Sequence, residues 1–75
     1  MRGETMTFDH EVVGKIGRVT GKVAPGKVGE VMLPIRGGSE AFAAYAAERD
    51  LTIAVGERVA IIEYHPPRTV IVSPA

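Results

Sequence analysis

The clearest pattern of apolar and polar positions lies in the last third of the chain. An apolar run from Leu51 to Val55 meets Gly56, which tolerates a positive φ and so permits a turn. A second run, Val59 to Tyr64, is too short for a helix and rich in β-branched residues, which is typical of a strand buried on both faces. We expect Val59 and Ile61 to face the interior of the fold.

A proline-rich link separates this strand from another. His65-Pro66-Pro67-Arg68 ends the run, because proline cannot donate to a ladder of hydrogen bonds. Thr69 to Val72 is again apolar and β-branched. Two strands joined by a short polar link predict a hairpin, which we take as the element on which the rest of the chain packs.

Residues 12–23 carry glycines that oppose a helix. Gly14, Gly17 and Gly21 would each cost a helix roughly 1 kcal/mol, whereas a bent strand tolerates them. The segment therefore predicts a long, curved first strand. Val13, Val19 and Val23 share one parity, and Lys15 shares it too, so we expect a bulge near Gly14 or Gly17.

The next segment alternates with a period of two. Pro25 followed by Gly26 predicts a type II turn over residues 24–27. In residues 28–35 one parity is apolar, which predicts a half-buried strand that ends in a turn over residues 36–39. The predicted inward side chains are Val31, Leu33 and Ile35; the predicted outward positions are Val28, Glu30, Met32 and Pro34.

Residues 40–49 support two interpretations. Their alanines, Ser39 as an N-cap, Glu40 in the first turn and Arg49 in the last favour a helix by local propensity. A strand also fits, because Phe42 alternates with Ala41 and Ala43. The residues alone leave both open.

Five strands with glycine-rich bends in a chain of 75 residues predict an all-β fold, a small OB-fold-like barrel. We expect one such domain over residues 12–75, preceded by a flexible tail over residues 1–11. Its closure would remove exposed sheet edges.

Composition excludes several classes of site. The chain has no cysteine, and its nine basic and nine acidic residues give a net charge of zero. A thiolate metal site is therefore excluded, and general attraction to a polyanion is not expected. No run is long enough to span a bilayer and no signal peptide is present, so we expect the chain itself to be soluble.

Candidate chemistry is sparse, and we predict no catalytic, cofactor-binding or metal-binding residue. His65 and His10 are interpreted as solvated residues, because no carboxylate or second histidine lies at ligand spacing. Ser39 and Ser73 lack a nucleophile motif, and Gly37-Gly38 lacks the Lys-Ser or Lys-Thr of a phosphate loop.

The alternative function for an OB-fold is nucleic-acid binding. Aromatic stacking platforms and a basic groove would support it. The aromatic residues are few, and the basic residues near the first turn are interpreted as a solvated face rather than a patch. The basic residues are Lys15, Arg18, Lys22 and Lys27, and the aromatic residues are Phe8, Phe42, Tyr45 and Tyr64.

The order and spacing of five segments resemble the soluble C-terminal domain of the NfeD family. The segments are residues 13–20 (VGKIGRVT), 25–31 (PGKVGEV), 41–46 (AFAAYA), 53–62 (IAVGERVAII) and 69–74 (TVIVSP). The resemblance implies an OB-fold in which Glu40 to Ala47 is a strand. The long family members' serine-protease domain is missing, so no protease residues are carried over.

The resemblance also implies a role at a membrane. NfeD-like proteins carry spanning helices before this domain and work with stomatin- or flotillin-like proteins. We therefore expect a non-enzymatic protein-interaction module, membrane-associated in the full-length protein through segments outside this chain, on a side of the membrane that is not specified. Its expected partner is a stomatin- or flotillin-like protein or a second copy of itself. No nucleic acid is expected as a partner.

Overall fold

The computed structural model describes residues 12–35 and 37–75. Within them the chain forms five strands, which are β1 (Ile16–Gly21), β2 (Gly29–Ile35), β3 (Gly38–Ala46), β4 (Arg58–His65) and β5 (Thr69–Pro74). They close into a barrel in the order β1-β2-β3-β5-β4, with only the β3–β5 pair parallel. The predicted all-β OB-fold barrel is confirmed, and the predicted tail lies outside the described residues.

The barrel interior is apolar. Every buried side chain among the described residues is hydrophobic, and none is polar or charged. The core consists of Val12, Val19, Val23, Val31, Leu33, Ile35, Phe42, Ala44, Ile53, Val59, Ile61, Val70 and Val72. The inward faces predicted for residues 28–35 and for β4 are both confirmed. The burial of β4 on both faces is wrong, because its second face lies on the outside of the barrel, where Ile62 is 46% exposed. Of the apolar run at residues 51–55, Ile53 alone pairs, in a single bridge with Val23.

Residues 40–47 lie almost wholly in β3, so the helix that local propensity favours is wrong and the strand is confirmed. β3 pairs with β2 from Gly29↔Ala44 to Ile35↔Gly38, and its second half pairs with β5. Phe42 and Ala44 are buried by this pairing. Alanine's helix preference is worth only tenths of a kcal/mol per residue, which burial of one large side chain outweighs.

The first strand is shorter than predicted, and one of its side chains faces the other way. β1 covers Ile16–Gly21 rather than residues 12–23. Val19 and Val23 are buried as predicted, but Val13 is 42% exposed and Val12 is buried in its place. The cause is a bulge at Gly14, one of the two predicted positions.

The bulge at Gly14 ends the ladder between β1 and β4. The Gly14 amide donates to the Ile61 carbonyl at 2.9 Å, while the Ile61 amide donates to the Lys15 carbonyl at 3.0 Å. Two residues thus oppose one, and Gly14 has a φ of 93°. This is the pattern of a G1 β-bulge, whose first position requires a positive φ.

Gly56 forms the same bulge at the opposite end of the ladder. Its amide donates to the Val19 carbonyl at 2.8 Å, and the Val19 amide donates to the Glu57 carbonyl at 2.9 Å. Gly56 has a φ of 97°. Each bulge glycine is also the third residue of a turn, closed by Lys15 N–H to Val12 and by Glu57 N–H to Ala54. The ladder that closes the barrel is therefore bounded by two like turns.

Between the bulges, Gly17 brings β1 close to β2. An added Cβ would lie 2.6 Å from Val31 Cγ1 and 2.7 Å from Leu33 Cδ2. No real Cβ approaches side-chain carbons this closely, so Gly17 lets the two strands pack against the same core side chains.

We predict that Ile61→Ala lowers the free energy of unfolding by about 2–5 kcal/mol, because it leaves a cavity in the core. Ile61 is 1% exposed and its neighbour Ile62 is 46% exposed. Ile62→Ala is the matched control and should change stability by less than about 0.5 kcal/mol. Urea denaturation of both variants measures the difference; equal losses would contradict the assigned core.

We predict that Gly17→Ala destabilises the domain by roughly 1–3 kcal/mol, because the new methyl group overpacks Val31 and Leu33. Gly38→Ala is the control, since nothing lies within 4 Å of a Cβ there and its φ is not in the left-handed region. It should be neutral or stabilise by up to roughly 1 kcal/mol. A Gly17→Ala variant as stable as Gly38→Ala would show that β1 and β2 can separate without penalty.

Candidate functional site

The closing ladder places two arginines opposite each other. Its register pairs Ile16 with Ala60, Gly17 with Val59 and Arg18 with Arg58. Val19, one position further along, exchanges hydrogen bonds with the Gly56 bulge. Because hydrogen-bonded and non-hydrogen-bonded pairs alternate, Arg18 and Arg58 form a non-hydrogen-bonded pair, with Cα atoms about 4.5 Å apart. Both side chains are exposed on the outer face.

These arginines border an open groove with a volume of about 300 Å³. We call it the arginine groove; it is lined by Ile16, Gly17, Arg18, Met32, Pro34 and Arg58. Met32 is the β2 partner of Arg18, so the groove crosses three adjacent strands. It is therefore built from the outer faces of β2, β1 and β4.

Among the described residues, no carboxylate forms an ion pair with either arginine of the groove. Arg18 Nη1 donates to the Gly56 carbonyl at 3.3 Å, which orients one guanidinium without a carboxylate. Within the described part of the chain, the ion pairs join His65 to Glu63 and Arg68 to Glu40, and neither includes a groove arginine. Arg18 and Arg58 therefore place two positive charges at the groove.

A row of aliphatic side chains, which we call the apolar row, lies beside the arginine row that Arg18 and Arg58 form. Ile16 is 41% exposed, and it shares the outer face with Ala60 across the ladder and with Pro34 on β2. One step of two residues along a strand separates the rows, which is roughly 7 Å. The surface thus presents positive charge and aliphatic carbon at a fixed spacing.

Residues 16–73 match the NfeD C-terminal domain family, a span that runs from the first residue of β1 to the penultimate residue of β5. The chain belongs to this family. The recognition made from the sequence is therefore confirmed. No curated protein sequence matches the chain.

Two solved structures share the fold of this NfeD domain. One is the C-terminal domain of stomatin operon partner protein 1510-C from Pyrococcus horikoshii, with 28% identity and a TM-score of 0.64 over 89% of this chain and 92% of that one. The other is the soluble domain of a membrane protein implicated in regulation of membrane protease activity from Corynebacterium glutamicum. It has 23% identity and a TM-score of 0.65 over 87% and 94% of the two chains.

Most of the basic residues that the sequence placed near the first turn do not line the arginine groove. Lys15 lies in the Gly14 bulge, Lys22 follows β1, and Lys27 closes the turn after Pro25. Only Arg18 lines the groove. Its partner Arg58 could not be identified from the sequence, because local patterns do not give the register of β1 against β4.

His65 has a partner that the sequence analysis did not expect. Its Nε2 lies 2.9 Å from Glu63 Oε1, on side chains that are 57% and 60% exposed. Because both side chains are exposed, a pair of this kind contributes little stability. The described residues contain no group of three or more possible metal ligands. His10 lies outside them.

Among the described residues, no aromatic side chain lines the arginine groove, and Phe8 lies outside them. Phe42 is buried and meets Tyr64 edge-to-face with centroids 6.1 Å apart. Arg68 lies over the Phe42 ring at 5.8 Å and donates to the Ala41 carbonyl at 3.2 Å. This cluster ties the β4–β5 link to β3 and has a structural role.

The serines and glycines considered as chemical groups lie on separate strands and turns. Ser39 lies on β3 and Ser73 on β5, where Ser73 pairs with Ala60. Gly37 has a φ of 79° between β2 and β3, which is a turn conformation. None of the helical structure in the described residues has the length and apolarity needed to cross a bilayer.

We predict that Arg58→Gln raises the free energy of unfolding by up to roughly 1 kcal/mol, because like charges directly opposite in a sheet destabilise it. The gain should shrink between about 10 mM and 1 M salt, as screening removes the repulsion. Arg49→Gln is the control with the same change in net charge, at an exposed turn outside the groove. Loss of stability in Arg58→Gln would show that the arginine pair is not repulsive.

Proposed function

We propose that this NfeD domain is a non-enzymatic protein-interaction module that works with a stomatin-like protein beside a membrane. The observation that carries the proposal is the arginine groove, where exposed aliphatic carbon and two unneutralised arginines lie together. Arginine and apolar side chains are enriched at the centres of protein interfaces. Among the described residues no polar side chain is buried, so the polar groups lie at the surface, where they contact a partner, and do not form an enclosed polar site.

The identity of the partner rests on the comparison at 28% identity, whose protein is named a stomatin operon partner. Family membership supports the same class of partner, and flotillin-like proteins belong to it by the resemblance described above. The resemblance also supports membrane association of the full-length protein through segments outside this chain. Self-association is the other binding mode that the sequence predicted.

Nucleic-acid binding is the alternative. Arg18 is the one member of the expected basic set that lines the groove, and the net charge of the chain is zero. A polyanion binder gains its affinity by neutralising several phosphates. The acidic Glu30 on the same outer face of β2 opposes that.

We predict that the domain binds the soluble part of a stomatin-like protein encoded in the same genome. The measurement is an amide chemical-shift titration of the ¹⁵N-labelled domain. Shifts confined to the outer faces of β1, β2 and β4 are expected. No shift at protein concentrations near 1 mM, the range of very weak complexes, would reject the proposed partner.

Labelled single-stranded DNA and RNA serve as the comparison in the same study. We expect no affinity tighter than roughly 10⁻⁴ M near physiological salt, the weak end of non-specific binding. Micromolar binding that weakens with salt, and that is lost in a variant carrying Lys22→Glu and Lys27→Glu, would instead support the nucleic-acid module.

A further inference from the structure

We infer that the arginine groove receives a carboxylate from an acidic side chain of a partner protein, with an aliphatic side chain of the same segment beside it. The carboxylate lies between Arg18 and Arg58. The aliphatic side chain packs on Ile16 and Pro34. This inference rests on the proposed interaction function and assigns the surface and the chemistry of its ligand.

The spacing of the arginines suits a single carboxylate. In a non-hydrogen-bonded pair the Arg18 and Arg58 side chains leave the sheet from Cα atoms about 4.5 Å apart, on the same face. Each guanidinium presents a planar fork of N–H donors that matches the two oxygens of a carboxylate. The hydrogen bond from Arg18 Nη1 to the Gly56 carbonyl already orients one fork, which reduces the entropy lost on binding.

Among the described residues no carboxylate forms an ion pair with these guanidinium groups, which points to an external carboxylate. Among residues 12–35 and 37–75, neither Arg18 nor Arg58 forms an ion pair. Arg68, by contrast, has Glu40 at 3.3 Å. Two like charges in one cross-strand pair destabilise the free domain. A carboxylate that binds between the two arginines offsets that repulsion. The complex thus has a favourable charge interaction that the free domain lacks.

The position of the apolar row indicates which second side chain the ligand carries and how far it lies from the carboxylate. It lies roughly 7 Å from the arginine row, the distance between residues i and i+2 on one face of an extended chain. A segment with an acidic residue and a leucine-like residue two positions apart therefore reaches both rows. Ile16 is 41% exposed, so such a residue would cover apolar surface that faces solvent in the free domain.

The charge around the arginine groove favours binding of a single carboxylate over binding of a nucleic acid or an anionic lipid layer, which present many phosphates. Glu30, hydrogen-bonded by Thr20 at 2.7 Å, lies on the same face one step beyond Met32. It would repel a second phosphate in a nucleic acid or a layer of anionic lipid. Attraction to lipid headgroups takes clusters of 4–8 basic residues, and the groove has two.

The probe is an acetylated and amidated heptapeptide, Thr-Leu-Thr-Glu-Thr-Leu-Thr, with a second peptide in which Gln replaces Glu. Amide spectra of the ¹⁵N-labelled domain report the site. We expect the Glu peptide to shift residues 16–18, 32–34 and 58–60, and the Gln peptide to bind about tenfold more weakly or worse. Equal binding of the two peptides, no binding, or shifts elsewhere would overturn the inference.

Variants of the domain then test the arginines themselves. Arg18→Gln combined with Arg58→Gln should abolish the shifts while the remaining spectrum stays folded. Lys27→Gln combined with Arg49→Gln has the same change in net charge outside the groove and should bind like the unaltered domain. Arg18→Lys with Arg58→Lys keeps the charge but loses the forks, so intermediate affinity is expected; full affinity would show that point charge alone suffices and would overturn the forked carboxylate geometry.

The stomatin-like protein separates failure of the inference from failure of the proposed function. If it binds the doubly substituted Arg18→Gln, Arg58→Gln domain as well as the unaltered one, the groove is not its site, although the interaction role stands. If it does not bind the unaltered domain while the Glu peptide does, the partner is wrong and the groove stands. Sedimentation with phosphatidylserine vesicles that depends on both arginines would assign the groove to a membrane instead and overturn the inference.

Discussion

The short ladder between β1 and β4 is the contact on which the rest of the barrel depends. It joins the first strand to the fourth and so turns an open sheet into a closed one. A glycine bulge lies at each end of the ladder, at Gly14 and at Gly56, and the Gly14 bulge shifts the alternation so that Val12 and Val19 both point inward. Without closure these valines would be exposed, and a chain of 75 residues has little other core to offset that loss.

Closure of the barrel also explains why alternate residues of one strand form the interior and the recognition surface. In β1, Gly17 and Val19 face the core while Ile16 and Arg18 face outward. Because the described interior contains only hydrophobic side chains, polar recognition is left to the outer face. The register of the ladder then decides which outward residues meet, and it brings together Arg18 and Arg58.

Local pattern predicted the parts of the fold that local interactions determine. The alternation ending at Leu33 and Ile35, the turn at Gly26 and the hairpin around Pro66 follow from neighbouring residues. Pairing between distant segments does not, so the sequence could not place Arg58 beside Arg18. For β3, alanine propensity favoured a helix, and pairing with strands on both sides outweighed it. One bulge residue at Gly14 was enough to exchange Val13 for Val12 in the core.

The distance along the chain across the closing ladder has a consequence for how the barrel assembles. Arg18 and Gly56 are in contact although they are 38 positions apart, whereas the β2–β3 and β4–β5 hairpins join near neighbours at Ile35↔Gly38 and His65↔Thr69. Contacts between distant residues carry a larger loop-closure entropy and form more slowly than local ones. The hairpins can therefore form before the barrel closes, and the arginine groove exists only once the ladder between β1 and β4 has formed. A ligand that bridges both strands of the ladder would slow the reopening of the barrel and stabilise the native state without a covalent bond.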